Sequence, residues 1–106
     1  MDDPTSIATR VVETCSERWD LYSRVNIHIV EKSEIQCKGC CRRDSENEFS
    51  IWVARDQTIR DFVATVAHEM VHVRQWTRNH WHGDGEAEAD EIQFMIADLM
   101  WESGKI

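Results

Sequence analysis

Residues 56–79 read DQTIRDFVATVAHEMVHVRQWTRN. Wound at about 100° per residue, this segment places Ile59, Phe62, Val63, Val66, Met70 and Val73 on one stripe, the recurrence of a core-facing helix. Asp56 or Thr58 stands where a capping side chain is expected. His68 and His72 fall nearly opposite the stripe, together with Asp61, Gln75 and Asn79. Two histidines four residues apart project from one face about one turn from each other, so both imidazoles can reach a single zinc. Glu69 then stands beside the metal, where it can take a proton from a bound water. The competing reading is a pair of surface histidines on an amphipathic helix. The acids further along weigh against it.

Those acids open a second helix, Gly85-Glu86-Ala87-Glu88-Ala89-Asp90-Glu91. At about 1.5 Å per residue the first helix runs roughly 10 Å past His72, and the segment from Asn79 to Gly85 can span about 20 Å when extended. That is enough to bring Glu86 back over the histidines. Four residues compete to be a third ligand: Glu86, Glu88, His80 and His82. The two histidines sit close to the end of the first helix and would need a sharp reversal. Glu88 lies beside the apolar stripe of the last helix, where a carboxylate needs a partner. Glu86 has an acid four residues later, Asp90, on its own face.

His68-Glu-x-x-His72 followed by Glu86-x-x-x-Asp90 resembles the gluzincin metallopeptidases. The likeness covers Asp56 to Trp101, under half the chain. It implies a zinc-dependent endopeptidase holding one catalytic Zn2+ on His68, His72 and Glu86, with Glu69 as general base and Asp90 orienting a ligand histidine. The implied partner is a peptide or protein substrate, whose extended strand pairs with a sheet edge, either residues 49–53 or their hairpin partner. Larger members add a lower subdomain that supplies an oxyanion-stabilising tyrosine or histidine. Sixteen residues follow Asp90, so the resemblance is to the minimal members called minigluzincins, and Tyr22, His80 and His82 are the candidates for that stabilising role. A metzincin's third histidine would fall on Arg78. Two rival expectations stand beside this one: a latent or non-catalytic zinc-binding scaffold, and a deformylase-like amidase with a cysteine as third ligand. A half-open cleft also allows a homodimer.

Composition bounds the rest. A chain of 106 residues with 42% hydrophobic content is read as one domain, residues 1–106, with a modest core. The net charge of −8 argues against nucleic acid as a general partner. Arg42, Arg43, Arg74 and Arg78 are local exceptions, read as solvated charges. No apolar run approaches a membrane span, and Met1-Asp2-Asp3-Pro4 does not begin a signal peptide, so no membrane is expected and the location expected is cytoplasmic. Cys37 and Cys40 have the spacing of a zinc knuckle without a second pair to complete it. Cys15 lies on an apolar stripe with Ile7, Ala8, Val11, Val12 and Trp19. All four cysteines are expected as free thiols.

The remaining elements are predicted as a helix from Thr5 to Trp19 capped by Thr5 or Ser6, and a strand from Val25 to Val30. A poorer strand, Ile35 to Arg42, is interrupted by Gly39 and followed by a turn at Asp44-Ser45-Glu46-Asn47. A clean strand from Phe49 to Val53 closes the hairpin. In the last helix Ile92, Met95, Ile96 and Leu99 recur at helical spacing. The class is α+β: a small, mostly antiparallel sheet packed on the N-terminal helix and the long histidine helix, followed by a C-terminal glutamate helix.

Overall fold

The computed structural model describes residues 3–106. Met1 and Asp2, which begin the tetrapeptide read above for a signal, lie outside the described residues. Asp3, not Thr5 or Ser6, caps the first helix, α1 (Pro4–Arg18): its Oδ1 accepts from the Ser6 amide at 2.8 Å. Pro4 takes the first helical position, where a missing N–H costs nothing and φ is already helical. Ile7, Ala8, Val11 and Cys15 are buried along one side of α1, as their spacing predicts.

The chain is α+β, but its sheet is mixed. Strand β1 (Arg24–Val30) pairs parallel with β3 (Glu48–Ala54), and β2 (Gly39–Ser45) pairs antiparallel with β3, giving the order β1-β3-β2. The expectation of a mostly antiparallel sheet is corrected here. Its cause is the connection after β1, where a short helix α2 (Lys32–Ile35) carries the chain across to the far side of β3. The hairpin then returns β3 into the middle, alongside β1. Ile35 belongs to this helix and not to a strand, and Gln36 in the left-handed region (φ 57°) ends it. Gly39 opens β2 instead of interrupting it. Ser45 pairs with Glu48 across a tight turn, after an irregularity between Arg43 and Ser45. Of the two strands named as a possible edge, β2 is one and β3 is central.

Phe49, Ile51 and Val53 alternate into the core while Ser50 and Trp52 point to the other face. Ser50 is nonetheless buried, its hydroxyl donating to Asp44. Helix α3 (Ile59–Arg78) is capped by Thr58, whose Oγ1 accepts from the Asp61 amide at 3.1 Å. Phe62, Val63, Val66, Met70 and Val73 are buried along its sheet side, and Ile59, at the start of that stripe, is 50% exposed. The opposite side is covered as well, since Ala64, Ala67, Val71 and Gln75 are buried. Helix α4 (Glu86–Glu102) provides that second cover through Ala89, Ile96, Ala97 and Met100. Met95, expected in the α4 stripe, is 55% exposed. A single cluster of buried side chains joins α1, β3, α3 and α4.

Arg74 and Arg78 are structural. Arg74 lies over the Trp19 ring at 4.4 Å and Arg78 donates to the Trp19 carbonyl, so the end of α3 is tied to the end of α1. Arg42 covers the Trp52 ring and pairs with Asp44. No helix is long and apolar enough to cross a membrane among the described residues.

Candidate metal centre

The left-handed Asn79 (φ 49°) ends α3, and a loop rich in turn residues reverses the chain before α4 starts at Glu86. That reversal lays the first turn of α4 across the middle of α3. Glu86 Oε2 lies 2.8 Å from His68 Nε2 and Glu86 Oε1 lies 2.9 Å from His72 Nε2. The two imidazoles meet nearly edge to face, their centroids 5.0 Å apart. His68, His72 and Glu86 each offer a ligand atom within 4.8 Å of the others, a set able to hold a metal ion. Both histidines are largely enclosed, whereas the Glu86 side chain is about half exposed.

Neither Glu88, His80 nor His82 joins the set. The Glu88 carboxylate accepts from Gln75 Nε2 at 2.9 Å and faces Arg74, so the partner its position demanded exists on α3. His80 and His82 face each other in the α3–α4 loop, centroids 5.3 Å apart. Tyr22 is 92% exposed, and none of Tyr22, His80 and His82 lines the cavity beside the three clustered residues. No cysteine joins the cluster among the described residues.

The outer nitrogens of the two rings have partners as well. His68 Nδ1 lies 2.8 Å from Gln93 Oε1 and 3.4 Å from Asp90 Oδ1, so the acid expected to orient a histidine is near it but Gln93 makes the shorter bond. His72 Nδ1 lies 2.8 Å from Gln75 Oε1. Both glutamines escaped the sequence reading. Gln75 is three residues past His72 and the helical wheel puts it on the histidine face, but nothing local says that this face is buried. Gln93 stands seven residues past Glu86, two turns along one face of α4, which was the available signal.

Glu69, 6% exposed, sits at the edge of the sheet-facing stripe next to the histidines. Burial raises its carboxyl pKa, against the opposing pull of His68 and His72, while the Glu86 carboxylate adds to the rise. Strand β2 runs directly past it. A Cβ at Gly39 would come within 2.6 Å of Thr65 Cγ2 and 3.5 Å of Glu69 Oε2. Only a glycine lets the edge strand approach α3 this closely. The resulting cavity, about 400 Å³, is bounded by β2 on one side and by Trp76 and Trp81 on another, with His68, Glu69, His72 and Glu86 at its base. Trp81 meets Trp76 edge to face at 6.3 Å, and the sequence reading assigned neither a role.

Cys37, Cys40 and Cys41 are free, as is Cys15 in the core. Burial pushes the Cys15 thiol up to about 12, and the Cys40 and Cys41 thiols are also raised, first by burial. Compared with known proteins, the chain matches no family model, no curated protein and no solved structure.

Proposed function

We propose that the chain is a zinc-dependent peptidase whose metal is held by His68, His72 and Glu86. The observation that carries this reading is the convergence of two imidazole Nε2 atoms on one carboxylate, with an oxygen also facing each Nδ1. A neutral imidazole has one N–H and cannot donate to oxygens at both nitrogens. A cation held by His68, His72 and Glu86 would resolve the arrangement, with each neutral ring donating from Nδ1 and offering its Nε2 lone pair to the ion. Two imidazoles and a carboxylate are a common zinc donor set that leaves a fourth position open.

When bound, zinc supplies an acidified water and a Lewis acid for a carbonyl. The chain's own residues do the remainder. The Glu69 carboxylate receives the water's proton and passes it to the departing amine nitrogen. Its burial keeps bulk water from competing for that proton. The outer edge of β2 offers main-chain N–H and C=O groups to an extended peptide, which favours a peptide or protein substrate. The absence of a cysteine from the cluster leaves the deformylase-like arrangement without support. Elemental analysis after reconstitution is expected to give one zinc per chain, and a peptide library is expected to be cut in a chelator-sensitive manner. Substoichiometric zinc removes the proposal; full zinc with no cleavage leaves only a zinc-binding scaffold.

A further inference from the structure

We propose that Gln75 is a positioning residue of this centre, holding His72 as the Nδ1–H tautomer and fastening its ring to the start of α4. The inference rests on the zinc reading above. The Gln75 side chain is deeply buried, and each of its polar atoms has a defined partner. Nε2 donates to the Gly85 carbonyl at 3.0 Å and to Glu88 Oε1 at 2.9 Å, which uses both amide hydrogens. Turning the amide over would set its oxygen against two acceptors, so Oε1 must be the atom that faces His72 Nδ1 at 2.8 Å. An amide oxygen only accepts. The Glu86 carboxylate, 2.9 Å from Nε2, only accepts as well and competes for the single proton of a neutral ring; once that carboxylate is engaged by a metal, Gln75 holds the proton on Nδ1 and leaves the Nε2 lone pair for the ion.

The same amide joins the two helices that supply the ligands. Gly85 immediately precedes Glu86, and a Cβ at Gly85 would overlap the Gln75 amide itself. Its φ of 81° is also one that residues with a side chain rarely adopt. The glycine thus lets the N-terminus of α4 settle on Gln75, which fixes where Glu86 begins. The two histidines differ in this respect. His68 is held from the more open side, by Gln93 and by an Asp90 whose side chain is 67% exposed. His72 is held by an enclosed amide that has no other orientation.

Two readouts test the role: zinc affinity by competition with a chelating indicator, and the ring 15N–1H pattern of His72 in metal-free Glu86→Ala protein, where no carboxylate faces Nε2, at a pH where the ring is neutral. The His72 signals are identified by their loss in His72→Ala. The Glu86→Ala chain is expected to show the proton on Nδ1. Gln75→Met, similar in length but without the amide, is expected to shift the proton toward Nε2 in the Glu86→Ala background and, with Glu86 kept, to weaken zinc binding about 10–100-fold. Gln75→Glu alone opposes two carboxylates. Combined with Glu88→Gln, it restores an acceptor at Nδ1 and a donor amide at position 88 but leaves an oxygen against the Gly85 carbonyl, and is expected to recover the Nδ1–H form and part of the affinity. A Glu86→Ala chain with the proton on Nε2 overturns the proposal. So does Gln75→Met that binds zinc like the parent, or one that loses affinity with the tautomer unchanged, which makes Gln75 merely structural. A parent that binds no zinc defeats the proposed function instead, and the metal-free ring still decides the role of Gln75.

Discussion

Helix α3 has two faces that solve different problems. Toward the sheet, Phe62, Val63, Val66, Met70 and Val73 fill the core, and any well-packed apolar set of similar volume could do so. Toward α4, His68, His72 and Gln75 are enclosed too, but each polar atom meets particular partners at a bonding distance. Glu69 stands at the boundary, buried like the first face and chemically part of the second. The difference teaches that burial alone does not mark the site. What marks it is burial together with polar groups that no generic packing could satisfy.

The sharpest way to break the comparison is at that boundary. Glu69→Gln keeps the size and the hydrogen-bonding capacity but cannot carry the proton, so it is expected to retain fold and zinc while losing at least about a hundredfold in peptide hydrolysis. Activity that survives this change would remove Glu69 from the mechanism. Next in size is the α4 face. Glu86→Ala is expected to lose zinc affinity sharply, whereas Glu88→Ala, whose carboxylate is engaged by Gln75 and Arg74, should lose less. The reverse order in a zinc titration would mean that the α4 register at the metal is set by Glu88.

On the sheet face the expected loss is in stability, not chemistry. Met70→Ala opens a cavity in the core and is expected to cost about 2–5 kcal/mol, read from the urea midpoint, with zinc stoichiometry kept. Ile59→Ala, half exposed on the same stripe, should stay within about 0.5 kcal/mol of the parent. Equal costs would show that the stripe is buried along its whole length. The last effect, absent at neutral pH, is Cys15 in alkali. Its thiol rises from the ordinary 9.0 to about 12 in the folded chain. The folded state therefore binds more protons than the unfolded one across that interval, and stability contributed below the lower value is lost as pH climbs through the upper one. Cys15→Ala should flatten the alkaline slope of a thermal-melt series. A slope unchanged by the substitution would mean that other groups set it. Thiol titration in denaturant without reductant should also return all four cysteines.

Much of this was legible because it is local. The spacing of Phe62, Val63, Val66, Met70 and Val73 specified the long helix and its core side. The alternation from Phe49 to Val53 specified a strand, and the four-residue interval placed His68 and His72 on one face. The elements that escaped have non-local causes. The parallel pairing of β1 with β3 depends on where α2 delivers the chain, and the value of Gly39 depends on how closely β2 approaches Thr65 and Glu69. In the opening segment, Asp3 ahead of Pro4 takes the cap, two or three residues before the expected hydroxyls.

By itself, then, the sequence determined the three long helices, strands β1 and β3 and the side of α3 from which two histidines project, because periodicity and capping act over a turn or a few residues. Which acid completes the cluster, and which amides hold the rings, was decided only when α4 docked on α3. Glu86 reaches His68 across 18 residues and Gln93 reaches it across 25, while Glu88 spends its charge on Gln75 and Arg74. Such pairings depend on the rotation and height of one helix against another. Packing of the whole core sets these to within an ångström, and no local pattern encodes them.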